Sequence, residues 1–254
     1  MRYCGSKAKF AKDIIPIITE HLDDGIEFYD AFMGGANILS RVEHPMKAGV
    51  EINFYVYSLW NNISRSCKTN VPVESWLPSS LTREEYNMVK EAYLMKDYSK
   101  YKPWMIGFVG ACCSYGGAWF NGYAAFNPKK NEDHIKEAYN GLVKQVKSFK
   151  NLSTTEFRFD SYENICLNRK AVIYCDPPYE STKKYESDFD HLKFWAWVRH
   201  MSKEGNHVYV SEYTAPSDFE CIWMKEKKDG MGTTTEGREQ NTKIEKLFVY
   251  SEKF

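Results

Sequence analysis

The sequence predicts an α/β fold: a doubly wound sheet built from both ends of the chain, with a mainly helical subdomain inserted between them. Three observations predict it. Short apolar runs ending in acids (IEFYD to Asp30, KAGVE to Glu51, AVIYCD to Asp176) alternate with segments of helical periodicity. That rhythm stops at about residue 55 and resumes near residue 132. The interrupting stretch carries helical patterns and a segment rich in Gly, aromatics and Asn, as an insert between α/β segments would. The expected division is therefore 1–55 with 132–254 as one domain, and 56–131 as the insert.

The elements follow in chain order. Residues 8–22 place Phe10, Ile14, Ile17 or Ile18, and Leu22 at helical spacing, with a kink or restart at Pro16. IEFYD reads as a strand, AFMGGANILSRV as a glycine-containing turn with a short helix, and KAGVE as a second strand. Within the insert, Thr82 and Glu85 form a capping box ahead of Tyr86, Val89 and Tyr93 on one helix face. A strongly periodic helix runs from about Asp133 to Phe149. AVIYCD is a buried strand, and residues 190–204 form a helix with Asp190 as N-cap and Gly205 as its stop. HVYVSEY, ECIWM and KLFVY supply further strands. KEKKDGMGTTTEGREQNTKIE, between the last two, is polar and basic and is expected to be a mobile loop.

Composition narrows the function classes. Lys plus Arg equals Asp plus Glu at 34 each, so a nucleic-acid footprint must be local rather than global. The aromatic share of 16% includes 18 Tyr and 7 Trp; such rings suit base stacking and ordinary packing equally well. Seven scattered cysteines form no CxxC pair, and no His lies at metal-ligand spacing from a Cys pair. They read as reduced thiols of a cytoplasmic protein without a metal site. MRYCGSKAKF lacks the apolar stretch of a signal peptide, and no apolar run is long enough to span a membrane.

Chemistry concentrates in two places. Asp176-Pro177-Pro178-Tyr179 follows a buried strand directly, where open α/β sheets bind ligands. An adenine N6 is a poor nucleophile because its lone pair is delocalised into the ring. A carboxylate on Asp176 and a carbonyl on Pro177, held rigid by two fixed φ angles, would accept its two hydrogens and localise that pair. Tyr179 can stack on a purine. The same tetrapeptide could be only a strand-ending turn, but the apolar strand before it and the motifs elsewhere favour the site. The second place is Asp30-Ala31-Phe32-Met33-Gly34-Gly35-Ala36, a strand-to-helix turn whose glycines let a ligand approach the backbone. Glu51, about twenty residues on, can take both hydroxyls of an adenosine ribose. The third glycine that favours a pyrophosphate is missing, which disfavours NAD and suits a nucleoside cofactor without phosphates.

Tyr3-Cys4-Gly5-Ser6-Lys7, DAFMGG, Glu51-Ile52-Asn53, Phe159-Asp160-Ser161-Tyr162 and DPPY, in that order, resemble the Dam-type (D12 class) DNA adenine N6-methyltransferases. The resemblance implies a Rossmann-like class I methyltransferase sheet, S-adenosyl-L-methionine as cofactor and double-stranded DNA as partner, with no metal and no obligate protein partner. Carried over by position, Tyr3 and Lys7 contact the cofactor, Asp30, Phe32 and Gly34 line its pocket, and Glu51 holds its ribose. Phe159 or Asp160 lies near its adenine, and Asp176 stands between cofactor and target. Two positions depart from the pattern: Tyr3 stands where some relatives carry Trp, and Glu51 where many carry Asp. Both keep the chemistry. The implied mechanism is direct attack by a flipped-out adenine.

In the insert, SYGGAWFNGYAAFNPKK offers Tyr115, Trp119 and Asn121 to bases and Lys129 and Lys130 to phosphates. Similar segments occur in the recognition region of the family, especially among phage-encoded members. Lys225, Lys227, Lys228, Arg238 and Lys243 could follow the DNA backbone or simply solvate a loop. Other readings stay open. The acceptor could be cytosine N4, although those relatives usually carry Ser in place of Asp176, or it could be RNA or a protein amide. The chain could also be a sequence-specific DNA-binding protein without catalysis. An NAD-linked oxidoreductase suffers from the missing glycine and the lack of an obvious hydride-relay His.

Overall fold

The computed structural model of the chain describes residues 1–179, 189–227 and 243–251. Among these, seven strands form one sheet: β1 (Glu27–Asp30), β2 (Lys47–Glu51), β3 (Glu156–Phe159), β4 (Ala171–Cys175), β5 (His207–Glu212), β6 (Phe219–Lys227) and β7 (Lys243–Tyr250). Their order is β3-β2-β1-β4-β5-β7-β6. The first five are parallel, whereas β7 runs antiparallel to both β5 and β6. The topology is that of a Rossmann-like class I methyltransferase sheet. Every residue of β2 and β4 is buried, so neither shows the polar–apolar alternation of a half-exposed strand.

Consecutive residues on these strands serve two cores. Phe28, Val172 and Leu247 face a cluster built with α1 (Ala11–Ile18), α2 (Phe54–Lys68), α4 (Pro103–Cys112) and α5 (His134–Ser148). Tyr29, Ile173 and Phe248 face a second cluster with α6 (His191–Lys203). The sheet is thus covered on both faces, as period-2 alternation requires. Among the described residues, no helix is long and apolar enough to cross a membrane.

Helix ends follow from local chemistry. The Asn53 side chain accepts from the backbone N–H groups of Tyr55 and Val56, Asp133 from those of Ile135 and Lys136, and Asp190 from that of Lys193. Thr82 and Glu85 form the expected capping box at the start of α3 (Arg83–Met95). Gly205, at φ +83°, sits just past α6.

Helix α2 lies on β2 and β3 and packs against α4; the sequence boundary at residue 55 falls inside it. A Cβ at Gly107 of α4 would collide with the Tyr55 carbonyl, so glycine permits this close approach. Trp60 of α2 is fully buried, stacks on Phe157 of β3 and donates from its indole N–H to the Gly34 carbonyl at 3.0 Å.

Four sequence expectations need correction. The first helix is shorter than 8–22: it starts at Ala11 and ends at Ile18, two residues beyond Pro16. The stretch after β1 forms successive turns instead of a helix, because Gly34 and Ala36 adopt left-handed φ values of +44° and +49°. Strand β3 was not foreseen; its four residues show one buried side chain and no apolar run. The polar segment before the last strand is partly regular structure: Lys225 and Lys227 belong to β6, and Lys243 belongs to β7. Lys225 is ion-paired with Asp13 at 2.8 Å. Lys228 and Arg238, with the rest of the expected loop, lie outside the described residues.

Candidate active site

Parallel strands leave their carboxyl ends on one edge of the sheet, and the acids singled out in the sequence collect there. Asp30 ends β1, Glu51 ends β2, Asp160 follows β3 and Asp176 follows β4. With Tyr3, Lys7, Phe32, Gly34, Trp119, Pro177, Pro178 and Tyr179 they wall a cavity of about 820 Å³. Segments distant in sequence therefore converge on one space.

One half of the cavity is built around the glycine turn. Gly34 faces the Tyr3 ring so closely that a Cβ there would lie 2.6 Å from a Tyr3 ring carbon. Its backbone N–H donates to Oε2 of Glu51 at 3.0 Å, and the Asn53 N–H donates to Oε1 at 2.7 Å. Glu51 is only 7% exposed. Burial pushes its carboxyl up to about 7 against the pull of these N–H groups. Asp30 is 2% exposed, and its Oδ1 has no hydrogen-bond partner among the described residues. Burial, aided by the nearby Asp176 charge, pushes its carboxyl up to about 8. Phe32 stacks on Tyr162 with centroids 5.2 Å apart. Asp160 accepts from Asn164 at 2.7 Å and from the Ser161 N–H at 2.8 Å, and these bonds hold its carboxyl below the ordinary value.

The other half surrounds Asp176. The Lys7 ammonium donates to Asp176 Oδ1 at 2.8 Å, lies 3.4 Å from Glu245 Oε1, and sits 4.5 Å from the centroid of the Tyr179 ring. The Tyr179 hydroxyl donates to the same Glu245 Oε1, and Tyr213 meets the Tyr179 ring edge-on. Desolvation opposes the Lys7 charge, yet the two acids outweigh it and hold the ammonium above the usual lysine value. Desolvation likewise raises the Asp176 carboxyl, with Lys7 pulling the other way. An N–H donor thus already sits on one of the two Asp176 carboxylate oxygens.

Some predicted residues lie elsewhere. Phe159 is 52% exposed and packs on Phe54 and Tyr57, outside the cavity wall. Tyr115, Asn121, Lys129 and Lys130 are exposed on the segment from 114 to 132, which is closed by Ser114–Tyr123 and Asn127–Glu132 bridges. Trp119 lines the cavity and packs among Tyr55, Tyr93 and Phe120. Sequence reasoning missed Glu245, Tyr213 and Lys193 on the cavity wall. For Glu245 a signal existed, since it shares a strand face with the core residue Leu247.

The family model for D12 class N6 adenine-specific DNA methyltransferases matches residues 3–222. The type II methyltransferase M.FokI of Planomicrobium okeanokoites is 24% identical over 209 residues, covering 77% of this chain. The chain spans only 31% of that protein's length. Among solved structures, HI0767 of Haemophilus influenzae, assigned as a methylase, aligns over 97% of this chain and 100% of its own at 13% identity and TM-score 0.34. SMU.472, assigned as a methyltransferase and solved with SAH, aligns over 67% of this chain and 53% of its own at 8% identity and TM-score 0.26. The family match runs through Tyr3, the glycine turn, Glu51 and the Asp176–Tyr179 tetrapeptide, the residues that wall the cavity, and the chain belongs to the D12 class N6 adenine-specific DNA methyltransferases.

Proposed function

We propose that the chain transfers the methyl group of S-adenosyl-L-methionine to the N6 amino group of a flipped-out adenine in double-stranded DNA. The observation that carries this reading is the convergence of the glycine turn, Glu51 and Asp176-Pro177-Pro178-Tyr179 on one cavity. Its donor set fits the cofactor. Glu51 and Asp30 are acids suited to a ribose diol and an ammonium, while Lys7 and Lys193 are the only basic residues on the wall among the described residues. A pyrophosphate would ask for the opposite balance. Tyr3, Asp30, Phe32, Gly34, Glu51 and Asp160 would hold the cofactor, which supplies an electrophilic methyl group on a sulfonium.

The chain's own residues then act on the base. Asp176 and the Pro177 carbonyl accept the two amino hydrogens, returning the lone pair to nitrogen, once Lys7 yields its place on Asp176. Tyr179 offers a ring for the purine to lie against, and Asp176 takes the proton that the methylated nitrogen sheds. The rate comes from fixed acceptors and alignment. The insert, with Tyr115, Trp119, Asn121, Lys129 and Lys130, reads and grips the duplex.

The test is direct. Unmethylated DNA incubated with the chain and cofactor, then digested to nucleosides, should yield N6-methyladenine. N4-methylcytosine instead, or label entering RNA alone, would contradict the reading. Asp176→Ala should lower the rate on the order of 10²–10⁴-fold while leaving the fold intact.

A further inference from the structure

Glu245 is a 1% exposed acid on β7, and a single oxygen of its carboxylate serves two partners. Oε1 accepts from the Tyr179 hydroxyl and lies 3.4 Å from the Lys7 ammonium. Lys7 is itself 6% exposed and closer to Asp176, at 2.8 Å. Lys7 holds Oδ1 of Asp176, so an amino group that takes that oxygen displaces the ammonium, and a buried ammonium cannot be left without a counter-charge. Glu245 is the neighbouring acid within reach.

We infer that Glu245 is a positioning residue of the acceptor site: it anchors Tyr179 and receives the Lys7 ammonium when a base amino group replaces it on Asp176. The inference rests on the methyl-transfer reading above. Glu245 touches no reacting atom; it acts through Lys7 and Tyr179. The charged and titratable neighbours agree with this role. Lys7 faces Asp176, Glu245 and Tyr179; Asp176 in turn feels Lys7, the Glu245 charge and the Tyr179 hydroxyl, and its own charge acts on Asp30 of β1 and on the buried Tyr174 and Cys175 of β4. Across β6, Lys225 stands opposite Glu245 in register but is committed to Asp13.

The test uses the whole chain with tritiated S-adenosylmethionine and unmethylated chromosomal DNA. Glu245→Gln keeps size and an acceptor for Tyr179 but removes the charge. Its kcat should fall roughly ten-fold near neutral pH, with cofactor affinity within about two-fold of wild type. The defect should shrink as pH rises, because Lys7 loses one of two raising charges, deprotonates earlier and leaves Asp176 as a neutral amine. Wild-type kcat at all pH values would overturn the role. So would a loss that is constant with pH and accompanied by weaker cofactor binding. Should the variant not fold, a crystal structure of the wild-type chain with S-adenosylhomocysteine and a duplex bearing its methylation site decides. Lys7 Nζ on Glu245, with the base on Asp176, is expected; Lys7 still on Asp176, or turned to solvent, overturns it. Failure of the reading beneath is distinguishable, since a wild-type chain that incorporates no label removes both.

Discussion

Asp30 and Glu51 end adjacent parallel strands, and burial keeps both carboxyls protonated well above the range of exposed acids. The sign of the consequence is fixed. A carboxyl whose pKa is higher folded than unfolded stabilises the fold below the ordinary carboxylate range. That contribution is lost as pH rises through about 7 for Glu51 and about 8 for Asp30. A ligand bringing an ammonium and hydroxyl donors favours the ionised forms. Cofactor affinity should therefore rise between about pH 6 and about pH 8, with proton release. Calorimetry in two buffers of different ionisation enthalpy checks this; affinity that is flat or falling across the range contradicts it. Asp30, Glu51 and Asp176 were legible because each closes an apolar run. Glu245 carried only the weak signal of sharing a strand face with Leu247; its charged neighbours masked it, and its contact with Lys7 joins distant parts of the chain. Lys7 was legible as a motif position; its ion pair with Asp176 was not.

At the scale of elements, the close contact of α2 with α4 determines how the helical segment stands over the sheet. Gly107→Ala should force the helices apart at the Tyr55 carbonyl and destabilise the chain by about 1–3 kcal/mol, read by chemical denaturation. Stability within about 0.5 kcal/mol of wild type would show that the helices repack freely. Strong patterns gave the elements: β1, β2, β4 and β5 are apolar, and α3, α5 and α6 carry both periodicity and caps. Weak ones did not. Strand β3 is short and largely unburied, and the turn after β1 carries helix-compatible residues whose course is set instead by left-handed φ at Gly34 and Ala36. The exposed segment bearing Lys129 and Lys130 gives a prediction of its own. If both lysines meet phosphates, Lys129→Ala with Lys130→Ala should flatten the log–log salt dependence of DNA binding by about 2. An unchanged slope would remove them from the interface.

Across the whole molecule, one sheet edge gathers both halves of the chemistry. Strand order brings β1 between β2 and β4, so the ends that carry Glu51, Asp30 and Asp176 are neighbours. Net charge gave no hint of this, because Lys and Arg balance Asp and Glu over the chain while acids dominate the cavity wall. M.FokI is much longer than the matched region, and the chain spans 31% of the M.FokI length. The central claim is that Asp176 and a methyl donor meet on one adenine amino group. Expression in cells lacking adenine methylation, followed by single-molecule sequencing of their DNA, tests it most directly. N6-methyladenine at one recurring sequence with the wild-type chain, and no more than a small remnant of it with Asp176→Ala, is the predicted result. Unmodified DNA from cells with the wild-type chain, or undiminished modification in the variant, would contradict it.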